Sequence, residues 1–245
     1  EPFKFQINRI FSNKKFIKII CLYLLLWCSL QLMQTVSIIY LEKVMRVPTD
    51  VSKWIPIPFQ ISALIGLQYW SLYSNKYGRI SALFKGCLIW ISACLVSVIL
   101  PPIENNFSSE YIFSSSNHDL IKILLLLLTI IFIGFGASTA YLIPWSLLPD
   151  AIDADPDKPA GIYTAWMVLV QKIGIGLSVQ ILGLLLSIAG FKSSSNCAIE
   201  ENCLYQPESA IATIRICMGL IPTFLIVIGL FIMKNWNNEI STMKA

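Results

Sequence analysis

Six apolar runs of about twenty residues each dominate this sequence and limit what it can fold into. A helix needs roughly 20 apolar residues to cross the hydrocarbon core of a bilayer, whereas a strand of a membrane barrel needs about 10 alternating residues. The chain is 56% hydrophobic and 13% charged, which is more apolar surface than a soluble core of 245 residues can bury. We therefore predict an all-α, polytopic membrane protein built as a six-helix bundle.

The predicted bundle occupies residues 17–233, after a basic segment at 1–16 and before a polar tail at 234–245. Its spans are predicted at residues 17–40, 54–74, 80–100, 120–149, 160–190 and 210–233.

The lysines and arginines predict the orientation of these six spans, which place both ends of the chain on one side of the membrane. That side carries eleven of them: Lys4, Arg9, Lys14, Lys15, Lys18, Lys76, Arg79, Lys85, Lys158, Lys234 and Lys244. The opposite side carries six: Lys43, Arg46, Lys53, Lys122, Lys192 and Arg215. Because cytoplasmic loops are enriched in positive residues, we predict that both ends are cytoplasmic in a plasma or inner membrane.

Lys172 is the only charged residue between Ala160 and Gly190. At about 1.5 Å per residue it lies some 18 Å from the first of these residues and 27 Å from the last, near the centre of a bilayer. A charge at that depth costs a few kcal/mol, so we expect it to face a protein interior or a watery cavity. The alternative is a lysine that only bridges two helices.

Small and polar residues share a helical face with this lysine. Gly176, Gln180, Gly183 and Ser187 follow Lys172 at spacings of three and four residues. In the first span, Gln31 and Gln34 share a second polar face with Thr35. That face is a candidate cavity lining, with hydrogen bonding between helices as the alternative.

Asp150 and Asp153 are three residues apart and would share one face of a helix. A membrane-embedded lipid-modifying enzyme could hold a divalent metal ion with such a pair. That enzyme would normally need further acids on a second helix, and no other predicted span carries any. The ionic alternative is a cytoplasmic gate, in which the two aspartates pair with Lys76 and Arg79 and separate when the protein opens inward.

The remaining reactive residues favour no catalytic or metal site. The sequence contains no phosphate-binding loop, no nucleophile elbow and no zinc-type Cys/His spacing, so we expect no bound metal or cofactor. The net charge of the chain is +4, and its lysines and arginines are unevenly placed along the sequence. We interpret this placement as a sign of membrane topology rather than of a nucleic-acid partner. Cys197 and Cys203 share a polar loop on the predicted outer side. In an oxidising compartment they could form a disulfide with each other, or with a part of the protein outside this sequence.

Two motifs carry a resemblance to a known family. The run LIPWSLLPDAID, from Leu142 to Asp153, resembles the tenth helix of the glycoside-pentoside-hexuronide:cation symporter family of the major facilitator superfamily. The segments GIYTAW from Gly161 and VQKIG from Val170 resemble the eleventh. QPES from Gln206 and the turn around Gly78 fit the same pattern, so the resemblance extends over nearly the whole chain.

This resemblance implies a secondary transporter with two six-helix halves around a central cavity, of which this chain is the C-terminal half. We expect cation-coupled symport, with Na⁺ or H⁺, of a small polar or amphipathic solute such as a sugar, a glycoside or a lysolipid. By the same resemblance Lys172 and Trp145 face the cavity, and the sodium-binding aspartates belong to the N-terminal half. With the residues discussed above, the cavity candidates are Lys172, Gln34, Gln31, Tyr141, Trp145 and Gln171, and the gate candidates are Asp150, Asp153, Lys76 and Arg79.

The expected partners are the solute, membrane lipid and the N-terminal half of the same polypeptide. The sequence begins at Glu1 without an initiator methionine, which also leads us to expect a preceding segment. Two alternatives stay open. One is the metal-dependent lipid-modifying enzyme, and the other is a degenerate half that only binds or scaffolds.

Overall fold

The computed structural model describes residues 9–103, 117–157, 159–192, 206–234 and 236, and the regular secondary structure in these ranges is helical. The predicted all-α fold is therefore confirmed. Cys197 and Cys203 lie outside the described residues, as do Lys4, Lys158 and Lys244. The described helices are α1 (Lys14–Ile39, continued by a π-helical turn, Tyr40–Val44), α2 (Thr49–Ser52), α3 (Pro56–Tyr77), α4 (Arg79–Ile99), α5 (Asn117–Ile152), α6 (Ala160–Ile188), α7 (Glu208–Arg215) and α8 (Ile221–Met233), the last two joined by a π-helical turn, Ile216–Leu220.

Five helical stretches of the described chain are long and apolar enough to cross a membrane. They are Lys14–Val44, Arg79–Ile99, Leu120–Ile152, Ala160–Ile188 and Glu208–Met233. The second predicted span, residues 54–74, falls in α3, which is 22 residues long but is not among the five. Gln60 and Gln68 and several serines make α3 less apolar than its neighbours. The five confirm a polytopic membrane protein.

Local sequence signals explain where several helices begin and end. Asn13 caps α1, because its side chain accepts a hydrogen bond of 3.1 Å from the backbone N–H of Phe16. Gly78 separates α3 from α4 with a φ of +91°, a conformation that residues with a side chain rarely adopt. The two helices are therefore antiparallel. We call the end of the bundle with this turn the Gly78 end, and the opposite end, where α4 stops before Pro101, the Pro101 end.

The helices pack in a defined order. Helix α5 packs against α3 and α4, and α1 packs against α5, α6 and α8. Glycines allow the closest of these contacts. A Cβ atom on Gly136 of α5 would lie 2.7 Å from the backbone oxygen of Gly86 and 2.7 Å from the backbone nitrogen of Trp90, both on α4. The backbones of α4 and α5 are thus in direct contact.

We predict that Gly136→Ala destabilises the bundle, because the added methyl group meets backbone atoms that cannot rotate away. Overpacking of this kind costs about 1–3 kcal/mol. The melting temperature of the detergent-purified protein should fall by several degrees. Gly161→Ala is the matched control, since a Cβ at Gly161 meets nothing within 4 Å. Equal melting temperatures for the two variants would contradict the close packing of α4 on α5.

Candidate functional site

Four aromatic side chains form a continuous surface between α1 and α5, which we call the aromatic wall: Tyr23, Trp27, Tyr141 and Trp145. Their rings meet edge to face, with centroids 5.9 Å apart for Tyr23–Trp27 and Tyr23–Trp145 and 5.4 Å apart for Trp27–Tyr141. The indole Nε1 of Trp145 donates a hydrogen bond of 3.2 Å to the hydroxyl of Tyr23. Trp145 keeps 37% of its surface exposed, so the wall is accessible at one edge.

The two glutamines of α1 differ in their contacts. Gln34 Nε2 donates to the hydroxyl of Tyr141 at 3.4 Å, which joins α1 to α5 beside the aromatic wall. Gln31 Nε2 donates to Thr35 Oγ1 at 3.2 Å, within α1 itself. Both glutamines are half-buried. The sequence left open whether these glutamines line a cavity or form hydrogen bonds between helices. Of the two, only Gln34 forms an interhelical hydrogen bond among the described residues.

A cavity of about 260 Å³ lies next to Gln34, toward the Pro101 end. Its walls come mainly from α1, α3 and α5, and most of the lining side chains are apolar. They include Leu30, Met33, Phe59, Leu126 and Ile130, with Gln34, Ser37 and Thr129 as polar members. A cavity with this lining suits an apolar group whose polar end lies near Gln34.

Helix α6, which carries Lys172, packs against the rest of the chain on one side only. Its most apolar stretch is 17% buried, compared with 39% or more in the other four spans. The packed side contains Gly174, where a Cβ would meet Leu24 at 2.9 Å, and Ser178, whose hydroxyl donates to the carbonyl oxygen of Cys28 at 3.3 Å. Both contacts are with α1, so the opposite side of α6 is open.

Lys172 lies on the open side of α6. Lys172, Gly176, Gln180, Gly183 and Ser187 are all exposed, and a Cβ on either glycine would meet nothing within 4 Å. No hydrogen bond or ion pair joins Lys172 to another residue in the part of the chain that the structure describes. The polar stripe seen in the sequence therefore faces away from this bundle.

The structure thus brings together some of the cavity candidates and not others. Gln34, Tyr141 and Trp145 meet at the aromatic wall. Within the described ranges, no hydrogen bond joins the half-buried Gln171 or the exposed Lys172 to that wall. Tyr23 and Trp27 were missed by sequence reasoning, because an aromatic residue in an apolar span gives no signal of the helix it will face.

At the Gly78 end, Arg79 joins the start of α4 to the end of α5. Its Nη2 lies 2.7 Å from the Asp150 carboxylate, and its Nη1 donates to the carbonyl oxygen of Ser146 at 2.5 Å. Lys76 instead lies over the ring of Tyr77, with its Nζ 5.1 Å from the ring centroid. Asp153, one turn beyond Asp150, is exposed. A metal ion at Asp150 would have to compete with a guanidinium group that is already bound there.

A second ionic network at the same end was not foreseen from the sequence. Arg9 contacts Asp157 and lies 3.4 Å from the carboxylate of Asp155, which is only 7% exposed. Asp155 also accepts a hydrogen bond of 2.9 Å from the hydroxyl of Tyr163. Asn13 donates to that hydroxyl at 3.0 Å and to the carbonyl oxygen of Ala151 at 2.8 Å. These bonds fasten the segment before α1 to the loop between α5 and α6.

Comparisons with known proteins agree with this architecture. Residues 2–236 match the family model described as MFS/sugar transport protein. An uncharacterized symporter of Synechocystis sp. is 29% identical over 94% of this chain and 39% of its own length. The sodium-dependent lysophosphatidylcholine symporter 1 of Xenopus tropicalis is 25% identical over 98% of this chain and 42% of its own length. The human protein of that name is 25% identical over 73% of this chain and 29% of its own length.

The chain spans about two fifths of the length of the first two of these relatives. The match to the family model includes every described helix, from α1 to α8. The motifs that carry the resemblance in the sequence lie within the same match. The chain belongs to the MFS/sugar transport protein family.

Proposed function

We propose that this chain is the C-terminal half of a cation-coupled symporter, which moves an amphipathic solute across a cell membrane by alternating access. The observation that carries this proposal is the open polar face of α6. Lipid tails are a poor environment for the ammonium group of Lys172 and for the amide of Gln180, since each would leave water without gaining a partner. A second protein surface or a watery cavity must therefore cover this face.

The N-terminal half of the same polypeptide is the proposed cover. In transporters of this type, one six-helix bundle moves against the other around a site near the middle of the membrane, and bound ligand shifts the populations of the two states. The small side chains at Gly176 and Gly183 suit such a moving surface, because they leave space for solute and allow close approach of a neighbouring helix.

An amphipathic solute with an anionic group fits the residues of the site best. The aromatic wall and the cavity beside Gln34 provide a largely apolar surface with the amides of Gln34 and Gln60, and Lys172 supplies a positive charge. We therefore favour a lysolipid-like solute over a sugar or glycoside. The printed names of the relatives from Xenopus tropicalis and human, sodium-dependent lysophosphatidylcholine symporters, support this choice.

We propose Na⁺ as the coupling cation, with H⁺ as the alternative. The relatives' names support sodium. The predicted spans contain no Asp or Glu, and Asp150, the first residue after the fourth span, is paired with Arg79. The carboxylates that bind the cation are therefore expected in the N-terminal half.

The ion pair between Arg79 and Asp150 is the proposed cytoplasmic gate. The predicted excess of lysine and arginine at the Gly78 end supports a cytoplasmic location for this end under the positive-inside rule. The alternative of a metal-dependent enzyme is weaker, because Arg79 occupies the carboxylate that would have to bind the metal ion. The alternative of a scaffold does not explain why α6 carries an exposed polar face within a membrane span.

We predict that Lys172→Ala abolishes coupled uptake of solute into proteoliposomes while the protein still folds. The side chain is exposed and makes no bond within the described bundle, so its loss should not change the melting temperature. Lys53→Ala is the control, because Lys53 is also exposed but lies outside the spans, 3.9 Å from Asp50. Uptake by Lys172→Ala at the wild-type rate would remove this lysine from the mechanism.

We predict that Trp145→Ala raises the KM for an amphipathic solute about tenfold, because the wall loses its exposed aromatic edge. A loss of roughly 1.4 kcal/mol of binding corresponds to that factor. Trp54→Ala is the matched control, since Trp54 is 69% exposed at the Pro101 end. An unchanged KM in Trp145→Ala, or an equal rise in both variants, would argue against a solute at the aromatic wall.

We predict that Asp150→Asn changes the uptake rate no more than about fivefold, because a partly exposed ion pair contributes on the order of 1 kcal/mol or less. The inward-open state should become more populated. This change can be measured as the accessibility of an introduced cysteine to a membrane-impermeant reagent. Asp153→Asn serves as the comparison, since Asp153 is exposed. Loss of a metal-dependent lipid-modifying activity in Asp150→Asn would instead favour the enzyme.

A further inference from the structure

Three tyrosines follow one another along α3 near the Gly78 end, and we call them the tyrosine ladder: Tyr69, Tyr73 and Tyr77. Their rings contact in sequence, with centroids 6.1 Å apart for Tyr69–Tyr73 and 4.7 Å apart for Tyr73–Tyr77. Tyr69 is 48% and Tyr77 is 55% exposed. Tyrosine is enriched where a membrane meets water, because its ring is apolar and its hydroxyl is polar.

Two lysines are held against this ladder. Lys85 Nζ of α4 donates a hydrogen bond of 2.6 Å to the hydroxyl of Tyr73 and lies 5.0 Å from the centroid of its ring. Lys76 Nζ lies 5.1 Å from the centroid of the Tyr77 ring. Such contacts orient an ammonium group but leave its charge uncompensated, because a ring provides no full negative charge.

The surface of α4 beyond Lys85 is largely apolar, with Ser92 as an exposed polar residue on the same side. Leu88, Leu95 and Ile99 follow Lys85 on the same side of the helix and are all exposed. The other sides of α4 pack against α3, α5, α8 and the π-helical turn before α8. Because α4 is one of the five membrane-crossing stretches, this exposed apolar side suits lipid tails, with Lys85 at its Gly78 end.

The position of Lys85 along the helix fits the boundary between lipid tails and head groups. It follows Gly78 by seven residues, or about 10 Å of helix, and Tyr73 precedes Gly78 by five residues, or about 8 Å. A lysine at this depth can extend its charged end to the head-group layer while its stem stays among the tails.

The hairpin of α3 and α4 carries no negative charge of its own. Between Lys53 and Glu104 the sequence contains Lys76, Arg79 and Lys85 but not a single Asp or Glu. Arg79 is paired with Asp150 of α5. Among the described residues, no carboxylate lies within 4.0 Å of either lysine. The described part of the chain therefore supplies no counter-ion to Lys76 or Lys85, and this surface suits a bound anion.

We propose that the tyrosine ladder with Lys76 and Lys85 binds the head-group phosphate of an anionic phospholipid in the leaflet at the Gly78 end. The two ammonium groups and the exposed tyrosine hydroxyls donate to the phosphate, and the acyl chains lie along Leu88 and Leu95. Juxtamembrane lysines attract anionic lipid with a free energy that corresponds to roughly fivefold per residue. This surface is separate from the solute site, which is lined by α1, α5 and α6 and, toward the Pro101 end, by the first residues of α3.

The test uses the full-length protein and measures lipids that remain bound in native mass spectrometry, with phosphatidylglycerol as the anionic probe and phosphatidylcholine as the neutral one. The double variant Lys76→Ala/Lys85→Ala should bind phosphatidylglycerol at least about tenfold more weakly than wild type. Binding of phosphatidylcholine should not change. Lys53→Ala, near the Pro101 end, should bind both lipids like wild type.

Phosphatidylglycerol binding that is unchanged in the double variant, or lost equally in Lys53→Ala, would overturn the proposal. So would displacement of the lipid by free glycerol phosphate at similar concentration, since the occupant would then be a soluble anion. Tyr73→Phe keeps the ring but removes the hydroxyl that holds Lys85, and it provides a second test if the double variant does not fold. It should weaken phosphatidylglycerol binding about threefold, and an unchanged affinity would again contradict the proposal.

Discussion

The packing of α1 against α5, α6 and α8 determines what every other surface of the bundle can do. In a membrane the helices gain little from hiding apolar side chains from lipid, so close fit and interhelical hydrogen bonds select the neighbours of each helix. Helix α1 meets α5 through the aromatic wall and meets α6 through Gly174 and Ser178. Because these contacts use one side of α6, the opposite side, with Lys172, is left open for another surface.

The two ends of the bundle differ in how they are held together. At the Gly78 end, Arg79 with Asp150 and Arg9 with Asp155 join α4 to α5 and the start of α1 to the loop before α6. At the Pro101 end a largely apolar cavity separates α1 from α3 and α5. The partly exposed pair of Arg79 and Asp150 can exchange its partners for water at low cost, whereas a largely apolar cavity favours an apolar group.

Some residues of the candidate site were predictable from the sequence and others were not, for a physical reason. Lys172 stands out because a charge within an apolar span is costly wherever the helix sits. The contact of Gln34 with Tyr141 joins residues 107 positions apart, and that of Asn13 with Tyr163 joins residues 150 apart. Such contacts depend on how helices rotate against each other, which no local spacing reveals. Lys76 illustrates the same limit, since its charge predicted an ionic gate but its nearest described partner is the ring of Tyr77.

The sequence by itself determined that the chain is helical, crosses a membrane several times and turns sharply at Gly78, because each of these follows from local energetics. A backbone in lipid must satisfy its own hydrogen bonds, and only glycine takes a φ of +91° without strain. Only the tertiary structure decided that Arg79 rather than Lys76 reaches Asp150, that Arg9 reaches Asp155, and that Lys172 faces outward. These outcomes depend on helix rotation and on glycine contacts between distant segments, and both arise only when the helices pack together.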